Sequence, residues 1–159
     1  MKQTNWIVIT GPPSSGKTTL IQELQNKGFL TSPEVARELI MECLKKQTHE
    51  KIETFQRDIL AITCRREHFL DVQEMIFFDR GIPDSIAYFK FNQLNVNVAI
   101  NAGRFRRYKK VFYCMGLPII KDLPVFALSA HHIAGGERGR AIRAYFKKYC
   151  YLIKQYETM

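Results

Sequence analysis

The stretch ITGPPSSGKTTL, residues 9–20, decides the fold of this chain of 159 residues. It fits the pattern G-x-x-x-x-G-K-[ST], in which Gly11 is the first glycine and Lys17-Thr18 close the motif. In a loop of this kind the backbone N–H groups turn inward around a phosphate, the lysine reaches the β- and γ-phosphates, and the hydroxyl residue binds Mg²⁺. The pattern therefore predicts a binding site for a nucleotide tail, formed by Gly11, Pro12, Pro13, Ser14, Ser15, Gly16, Lys17, Thr18 and Thr19.

The segments on either side of the loop favour this interpretation over a glycine-rich turn that binds nothing. Asn5–Thr10 is a short β-rich run, which predicts a buried strand. Gly16–Lys27 has helical spacing and ends before Gly28, so this helix would offer its free N–H groups and positive dipole end to the same phosphate. The expected ligand is ATP or another nucleoside triphosphate with Mg²⁺. The lack of a guanine-reading Asn-Lys-x-Asp motif mildly favours ATP.

Strand and helix patterns alternate along the rest of the chain. The continuous apolar run Met75–Phe78 indicates a strand buried on both faces, as in a parallel sheet covered by helices. We therefore predict one three-layer α/β/α domain over residues 1–159, with a mainly parallel sheet. The other predicted strands are Phe29–Thr31 and Val111–Cys114, and the other predicted helices are Pro33–Lys46 (capped by Ser32), Lys51–Val72, Pro83–Gln93 and Arg140–Tyr156.

An acidic residue follows the second strong apolar strand. Asp79 ends that strand, and Arg80 follows it directly. Because ligands of open α/β sheets bind at the carboxyl ends of the strands, we expect Asp79 and Gly11 to lie at the same edge. Asp79 is thus a candidate metal ligand or catalytic carboxylate. The alternative is an ordinary strand end, with Asp84 near the start of a helix.

Three segments in this order resemble a family of P-loop domains. They are the strand with GPPSSGKTTL, then SPEVAREL (residues 32–39), then FFDRGIPDSIAYF (residues 77–89). The family comprises AAA-labelled, kinase-like domains grouped with bacterial nicotinamide riboside kinase and a fly nucleotide- and lipid-binding protein. The resemblance covers roughly residues 5 to 114. The Asp-Arg pair at a strand end is also similar to that of deoxynucleoside and thymidylate kinases, in which the acid acts near the acceptor hydroxyl and the arginine near the phosphates.

The resemblance implies roles for individual residues. Lys17 and Thr18 would bind triphosphate and Mg²⁺, Asp79 would serve as metal ligand or base, and Arg80 would contact phosphate. Substrate-binding candidates are Glu34, Arg37 and Asp84. For Glu34 the alternative is a first-turn acid favoured by the helix dipole, and for Arg37 it is a surface helix residue.

The resemblance weakens after Cys114. The family continues into a mobile lid with an acidic–arginine pair, and Glu137-Arg138 between glycines is the candidate pair in a lid of about residues 115–140. Arg138 would then offset charge on the transferred phosphoryl group, while the alternative is a flexible basic loop. The pattern predicts either a shortened family member without the final strand or a C-terminal part that has diverged. The apolar run Leu123–Leu128 could replace that strand at the sheet edge or become buried in a homodimer, and His131-His132 fit loop residues better than metal ligands.

Composition limits the remaining function classes. The widely spaced cysteines lack a CxxC pair, which argues against a zinc site or a disulfide framework. No apolar run reaches about 18 residues and no signal sequence is recognisable, so we predict a cytoplasmic protein without a membrane span. The net charge of +9 is concentrated late in the chain, in runs such as Arg104–Lys110. Phe105 and Tyr108 in that run could stack on bases or belong to the core, and we expect no sequence-specific nucleic-acid binding.

Three functions remain, in descending order of support. The first is a small-molecule kinase that transfers the γ-phosphoryl group of ATP to a hydroxyl of a nucleoside or similar metabolite. The second is a nucleotide-binding switch or slow NTPase that docks a partner or anionic lipid through its basic surface. The third is nucleic-acid binding through Arg104–Lys110.

Overall fold

A parallel β-sheet forms the centre of the computed structural model, which describes residues 2–13, 15–46 and 51–115. The strands are β1 (Lys2–Gln3), β2 (Ile7–Thr10), β3 (Leu30–Ser32), β4 (Ile76–Asp79), β5 (Arg106–Arg107) and β6 (Lys110–Tyr113). Four of them form one sheet in the order β3-β4-β2-β6, and every neighbouring pair is parallel. β1 and β5 form a separate two-stranded parallel pair that the sequence patterns did not predict. The α/β fold with a parallel sheet is confirmed.

Five helices lie within the described residues: α1 (Lys17–Asn26), α2 (Val35–Lys46), α3 (Ile52–Phe69), α4 (Ile82–Phe91) and α5 (Asn97–Gly103). Most of their bounds lie within two or three residues of the predicted ones. Ser32 was expected to cap α2, but it is the last residue of β3 and pairs with Phe78 of β4, so the helix begins later, at Val35. The short α5 had no clear periodic signal in the sequence and was not predicted.

The centre of the sheet is buried in the way that its apolar sequence predicts. All four residues of β2 are buried. Trp6, Phe78 and Tyr108 form an aromatic cluster, with ring centroids 5.2 Å apart for Trp6 and Phe78 and 6.4 Å apart for Trp6 and Tyr108. Tyr108 is therefore a core residue, which removes it from the base-stacking pair considered above, whereas Phe105 is exposed.

A second buried cluster joins α3, α4 and α5. It contains Leu60, Ile82, Phe89 and Ala99. Ile82 is the first residue of α4, so this cluster fixes the position of the helix that begins directly after Asp79, Arg80 and Gly81. Packing of α3 against α4 thus links the core to the loop that follows β4.

The strand register brings the loops after β2 and β4 together. Ile9 lies beside Asp79, and Thr10 lies beside Tyr113 of β6, so the loop that begins at Gly11 emerges between two neighbouring strand ends. Gly11 has a φ of 143°, and a Cβ there would lie 2.3 Å from the carbonyl oxygen of Cys114. Only glycine fits this close approach of two chain segments.

Several predictions concern residues outside the described ones. These are the loop residue Ser14, the lid with Arg138, the run Leu123–Leu128, His131-His132, the last helix over Arg140–Tyr156 and the missing final strand. Over the ranges that the structure does describe, none of the helices combines the length and the apolar character that crossing a membrane requires.

Candidate functional site

Two described residues of the phosphate loop hold the ammonium group of Lys17. Gly16 caps α1 in the left-handed conformation, with φ 80°, and Lys17 is the first residue of the helix. Lys17 Nζ donates hydrogen bonds to the carbonyl oxygen of Pro12 at 2.7 Å and to Ser15 Oγ at 3.2 Å. The lysine is 5% exposed, and burial together with the positive charge of Arg80 lowers its pKa to about 8. A cation held in this way is positioned to meet an anion.

We expect the affinity for a triphosphate to fall above pH 8. A bound triphosphate keeps Lys17 protonated, whereas the free protein, with a Lys17 pKa of about 8, loses that proton as the pH rises. The phosphates are already deprotonated there, since phosphate esters have a second pKa of about 6. Binding should therefore take up about 0.9 proton at pH 9, so the association constant should fall by nearly tenfold per pH unit. Calorimetry between pH 7 and pH 9.5 measures this slope.

The exposed Lys27, at the end of α1, provides the matched control for that titration. Lys27→Ala should leave the slope unchanged. An affinity that stays constant from pH 7 to pH 9.5 would contradict the assignment of the charge to Lys17.

Asp79 and Thr18 meet beside the loop. Thr18 Oγ1 donates a hydrogen bond to Asp79 Oδ2 at 2.9 Å. The other oxygen, Asp79 Oδ1, is buried and has no hydrogen-bond partner among the described residues. Burial, and then the negative charge of Glu34, raise the pKa of Asp79 above its usual value. An unpaired buried carboxylate oxygen is costly, and a cation would stabilise it.

These two side chains fit the ligand preferences of Mg²⁺. This ion binds proteins through oxygen atoms, commonly one or two carboxylates together with substrate phosphates, and it keeps several waters. The described part of the chain contains no group of three or more His, Cys, Asp or Glu residues that would form an all-protein metal site. Thr18 and Asp79 therefore suit an ion that arrives with a phosphate ligand.

Arg80 joins three segments of the site. Its Nε donates to Glu34 Oε1 at 2.6 Å, and its Nη1 donates to the carbonyl oxygen of Gly11 at 3.0 Å and to Asp84 Oδ1 at 3.1 Å. The guanidinium also lies 5.5 Å from the ring centroid of Tyr88. Arg80 has a φ of 73°, an unusual conformation for a residue other than glycine, and such outliers occur at functional sites. The arginine holds the loop, the end of β3 and the start of α4 together.

Asp84 is a buried member of the same network. Its Oδ1 accepts a hydrogen bond from Thr10 Oγ1 at 2.6 Å, and its Oδ2 accepts one from the backbone N–H of Gly81 at 3.0 Å. These contacts and that with Arg80 engage both carboxylate oxygens. The geometry gives Asp84 a positioning role at the start of α4, which is the alternative that the sequence left open, and a direct contact with substrate stays a prediction.

A cleft of about 1300 Å³ extends from the loop between β3, α2 and α3. Glu34 lies in the wall of the cleft. Arg37 Nε lies 3.8 Å from Glu34 Oε2, and the Arg37 side chain is 63% exposed, so Arg37 is the more peripheral of the two. The end of the cleft farther from the phosphate loop is lined by apolar side chains of α2 and α3: Ile40, Met41, Leu44, Phe55 and Ile59. The cleft thus has a charged end beside the phosphate loop and a mainly apolar end.

The sequence matches the family described as AAA domain over residues 6–123. This range covers most of the chain, including the phosphate loop, Glu34 and Asp79. The chain belongs to this AAA domain family. No curated protein matches the sequence.

Solved structures with the fold of this AAA domain include two kinases and the protein NadR. Deoxyadenosine kinase from M. mycoides, with the products dCMP and dCDP, is 20% identical, with a TM-score of 0.59 over 94% of this chain and 84% of that chain. NadR in complex with NAD and AMP-PNP is 16% identical, with a TM-score of 0.59 over 98% of this chain and 42% of that one. Thymidylate kinase from Ehrlichia chaffeensis is 18% identical, with a TM-score of 0.51 over 92% and 82%. At these identities the likeness establishes a shared fold.

Gln56 is one of several polar residues in the cleft of this AAA domain that sequence reasoning missed. Gln56 is 6% exposed and lines the cleft, and its Oε1 has no hydrogen-bond partner in the described part of the chain. Its position next to Phe55 could have revealed it, but the helix was predicted from its apolar residues alone. A buried amide oxygen facing a cleft indicates a ligand that donates a hydrogen bond.

Proposed function

We propose that this AAA domain is a small-molecule kinase that binds ATP with Mg²⁺ on the Gly11–Thr18 loop and phosphorylates a hydroxyl of an acceptor in the adjacent cleft. The observation that supports the proposal most is the pairing of Thr18 with Asp79, whose second carboxylate oxygen is buried and unpaired next to Lys17. The kinase fold of the structural neighbours agrees with it, and we infer an acceptor of the nucleoside class.

Each residue around the loop has a distinct role in this proposal. Lys17 offsets charge on the β- and γ-phosphates, and the N–H groups at the start of α1 bind the same anion. Thr18 and Asp79 would hold Mg²⁺, which neutralises charge on the phosphate oxygens during transfer. Positioning and electrostatic stabilisation supply most of the rate enhancement in phosphoryl transfer. In this proposal Arg138 of the lid adds a further positive charge near the transferred group.

Glu34 is the carboxylate best placed to receive the proton of the acceptor hydroxyl. Burial alone would raise its pKa, but the charge and hydrogen bond of Arg80 outweigh burial and hold the pKa of Glu34 below its usual value. The side chain is therefore an ionised acceptor near neutral pH and lies in the cleft wall. In the proposed step the acceptor oxygen bonds to the γ-phosphorus, the bond to the β-phosphate oxygen breaks, and the hydroxyl proton leaves to Glu34. Asp79, committed to Thr18 and the metal, would assist from the phosphate side.

Wild-type protein provides the direct test of this proposal. Its melting temperature should rise with ATP and Mg²⁺ together more than with either alone, because a ligand that binds only the folded state stabilises it. Transfer from ATP should then be assayed against a panel of nucleosides and related hydroxyl compounds. Phosphorylation of at least one acceptor is expected. Slow hydrolysis without transfer to any acceptor would contradict the kinase proposal and favour the nucleotide switch.

Gln56 should determine affinity for the acceptor. Gln56→Leu removes the buried amide oxygen at similar volume, so an acceptor that donates a hydrogen bond to it loses that partner. We expect the KM for the acceptor to rise by about 3- to 10-fold, the range of one neutral hydrogen bond, with an unchanged KM for ATP. Steady-state kinetics with each substrate varied in turn measures both values. Gln73→Leu, at an exposed position before β4, is the control, and an unchanged acceptor KM for Gln56→Leu would contradict the assignment.

A further inference from the structure

A buried carboxylate and a buried phenol lie beneath the start of α4, away from the phosphate loop. Glu67 of α3 is 0% exposed, and Tyr108 is buried in the aromatic cluster of the core. Tyr108 Oη donates a hydrogen bond to Glu67 Oε1 at 2.5 Å. Burying a carboxylate in this way is expensive, so its presence calls for a reason beyond filling the core.

The phenol also contacts the backbone that leaves the active site. The backbone N–H of Ile82 donates a hydrogen bond to Tyr108 Oη at 3.2 Å. A Cβ at Gly81 would lie 3.0 Å from the same oxygen and 3.1 Å from Val8 Cγ2, so Gly81 is packed directly against the phenol. Tyr108 therefore fixes the two residues that follow Arg80.

The neighbouring residue on α3 reaches the other side of the cleft. Arg66 donates to the carbonyl oxygen of Pro33 at 3.1 Å and forms an ion pair with Glu38. Arg66 thus holds the segment before Glu34, and Glu67, through Tyr108, holds the segment after Arg80. These adjacent residues of α3 therefore hold both segments that flank the cleft. The side chains at the tips of these segments, Glu34 and Arg80, bond to each other at 2.6 Å.

We propose that Glu67 and Tyr108 are positioning residues that hold the start of α4, and with it Arg80, in the orientation needed for phosphoryl transfer. Neither Glu67 nor Tyr108 is among the described residues that line the cleft. Because transfer depends on placing charged groups accurately, a small displacement of Arg80 and Glu34 lowers the rate without removing any group that binds nucleotide. This inference rests on the proposed kinase function.

Tyr108→Phe tests the proposal, because it keeps the ring in the core and removes only the hydroxyl. We expect kcat to fall by about 10- to 100-fold, with nucleotide affinity and nucleotide KM changing by less than about twofold. Amide hydrogen exchange at Ile82 should quicken, since its N–H loses its acceptor. Glu67→Gln, which retains an oxygen to accept the Tyr108 hydrogen bond, should keep most of kcat.

Val72→Ala is the matched control, because Val72 lies in the same core cluster as Tyr108 and the substitution removes no hydrogen-bonding group. Val72→Ala should lower the melting temperature about as much as Tyr108→Phe does. Its kcat and its amide exchange at Ile82 should nevertheless stay near those of wild type. A wild-type kcat for Tyr108→Phe, or equal losses of kcat in the two variants, would overturn the proposal.

The exchange measurement separates this proposal from the kinase proposal. If wild type transfers phosphate to no acceptor, the kinase function fails, and faster exchange at Ile82 confined to Tyr108→Phe still supports the positioning of α4. If Ile82 exchanges alike in wild type and Tyr108→Phe, the positioning role fails whether or not the protein is a kinase.

Discussion

Asp79→Asn is expected to lower phosphoryl transfer by about 10²- to 10⁴-fold, because a metal ion held by this carboxylate would stabilise the charge of the transition state by several kcal/mol. The substitution keeps the shape of the side chain, and the amide oxygen can still accept the hydrogen bond of Thr18. It removes the negative charge that would hold Mg²⁺ beside the phosphates. Nucleotide binding should persist at least partly, because Lys17 and the loop amides remain. Turnover and calorimetry with ATP, with and without Mg²⁺, measure the two effects separately.

Asp71→Asn is the control for Asp79→Asn. Asp71 is exposed and precedes β4, whereas Asp79 ends it, so the control removes one carboxylate charge at the opposite edge of the sheet. It should leave turnover unchanged. Turnover near wild type for Asp79→Asn would show that this carboxylate neither holds the metal nor assists transfer.

Lys17→Ala should abolish measurable triphosphate binding while the fold survives. The lysine contributes a buried charge to the loop, and removing one partner of a buried charge pair weakens binding by an amount on the order of 10²- to 10³-fold. Burial lowers the pKa of Lys17 to about 8, so the charged form still predominates at neutral pH but is less stable in the free protein than it would be in water. Without nucleotide, the melting temperature of Lys17→Met, which keeps the length of the side chain, should therefore equal or exceed that of wild type.

Calorimetry with ATP and a thermal melt of each variant test this expectation. Lys27→Ala, at the exposed end of the same helix, should bind like wild type. Equal ATP affinity for Lys17→Ala and wild type would refute the role of the lysine. A melting temperature of Lys17→Met well below that of wild type would refute the claim that burying the Lys17 charge destabilises the free protein.

The phosphate loop and the sheet could be read from local patterns. Gly11, Gly16, Lys17 and Thr18 act through positions within a few residues of one another, so their spacing alone predicts the loop. The continuous apolar runs of β2 and β4 predict strands buried on both faces, and parallel strands bring their carboxyl ends to one edge. The place of Asp79 beside Thr18 follows from these two facts.

The partners of the other site residues depended on the tertiary structure. Arg80, Glu34 and Asp84 are separated by up to 50 residues, and no local pattern states that one guanidinium bonds to both carboxylates. Asp84 was predicted either to bind substrate or to lie near a helix start, and the fold brings Thr10 and the N–H of Gly81 to its oxygens.

The burial of some side chains inside helices and near strand ends also depended on the tertiary structure. Gln56 and Glu67 are polar residues in α3, and the sequence gives no reason to expect either to be buried, since polar residues of a helix usually face solvent. Their burial is decided by the packing of α3 against the cleft and against α4. Tyr108 was left open as either a base-stacking or a core residue, and only its place among Trp6 and Phe78 made it part of the core.

Sequence by itself determined the phosphate loop and the parallel sheet, because both depend on short-range spacing and periodicity. The tertiary structure alone decided which charged and polar groups meet, because those contacts join segments far apart in the chain.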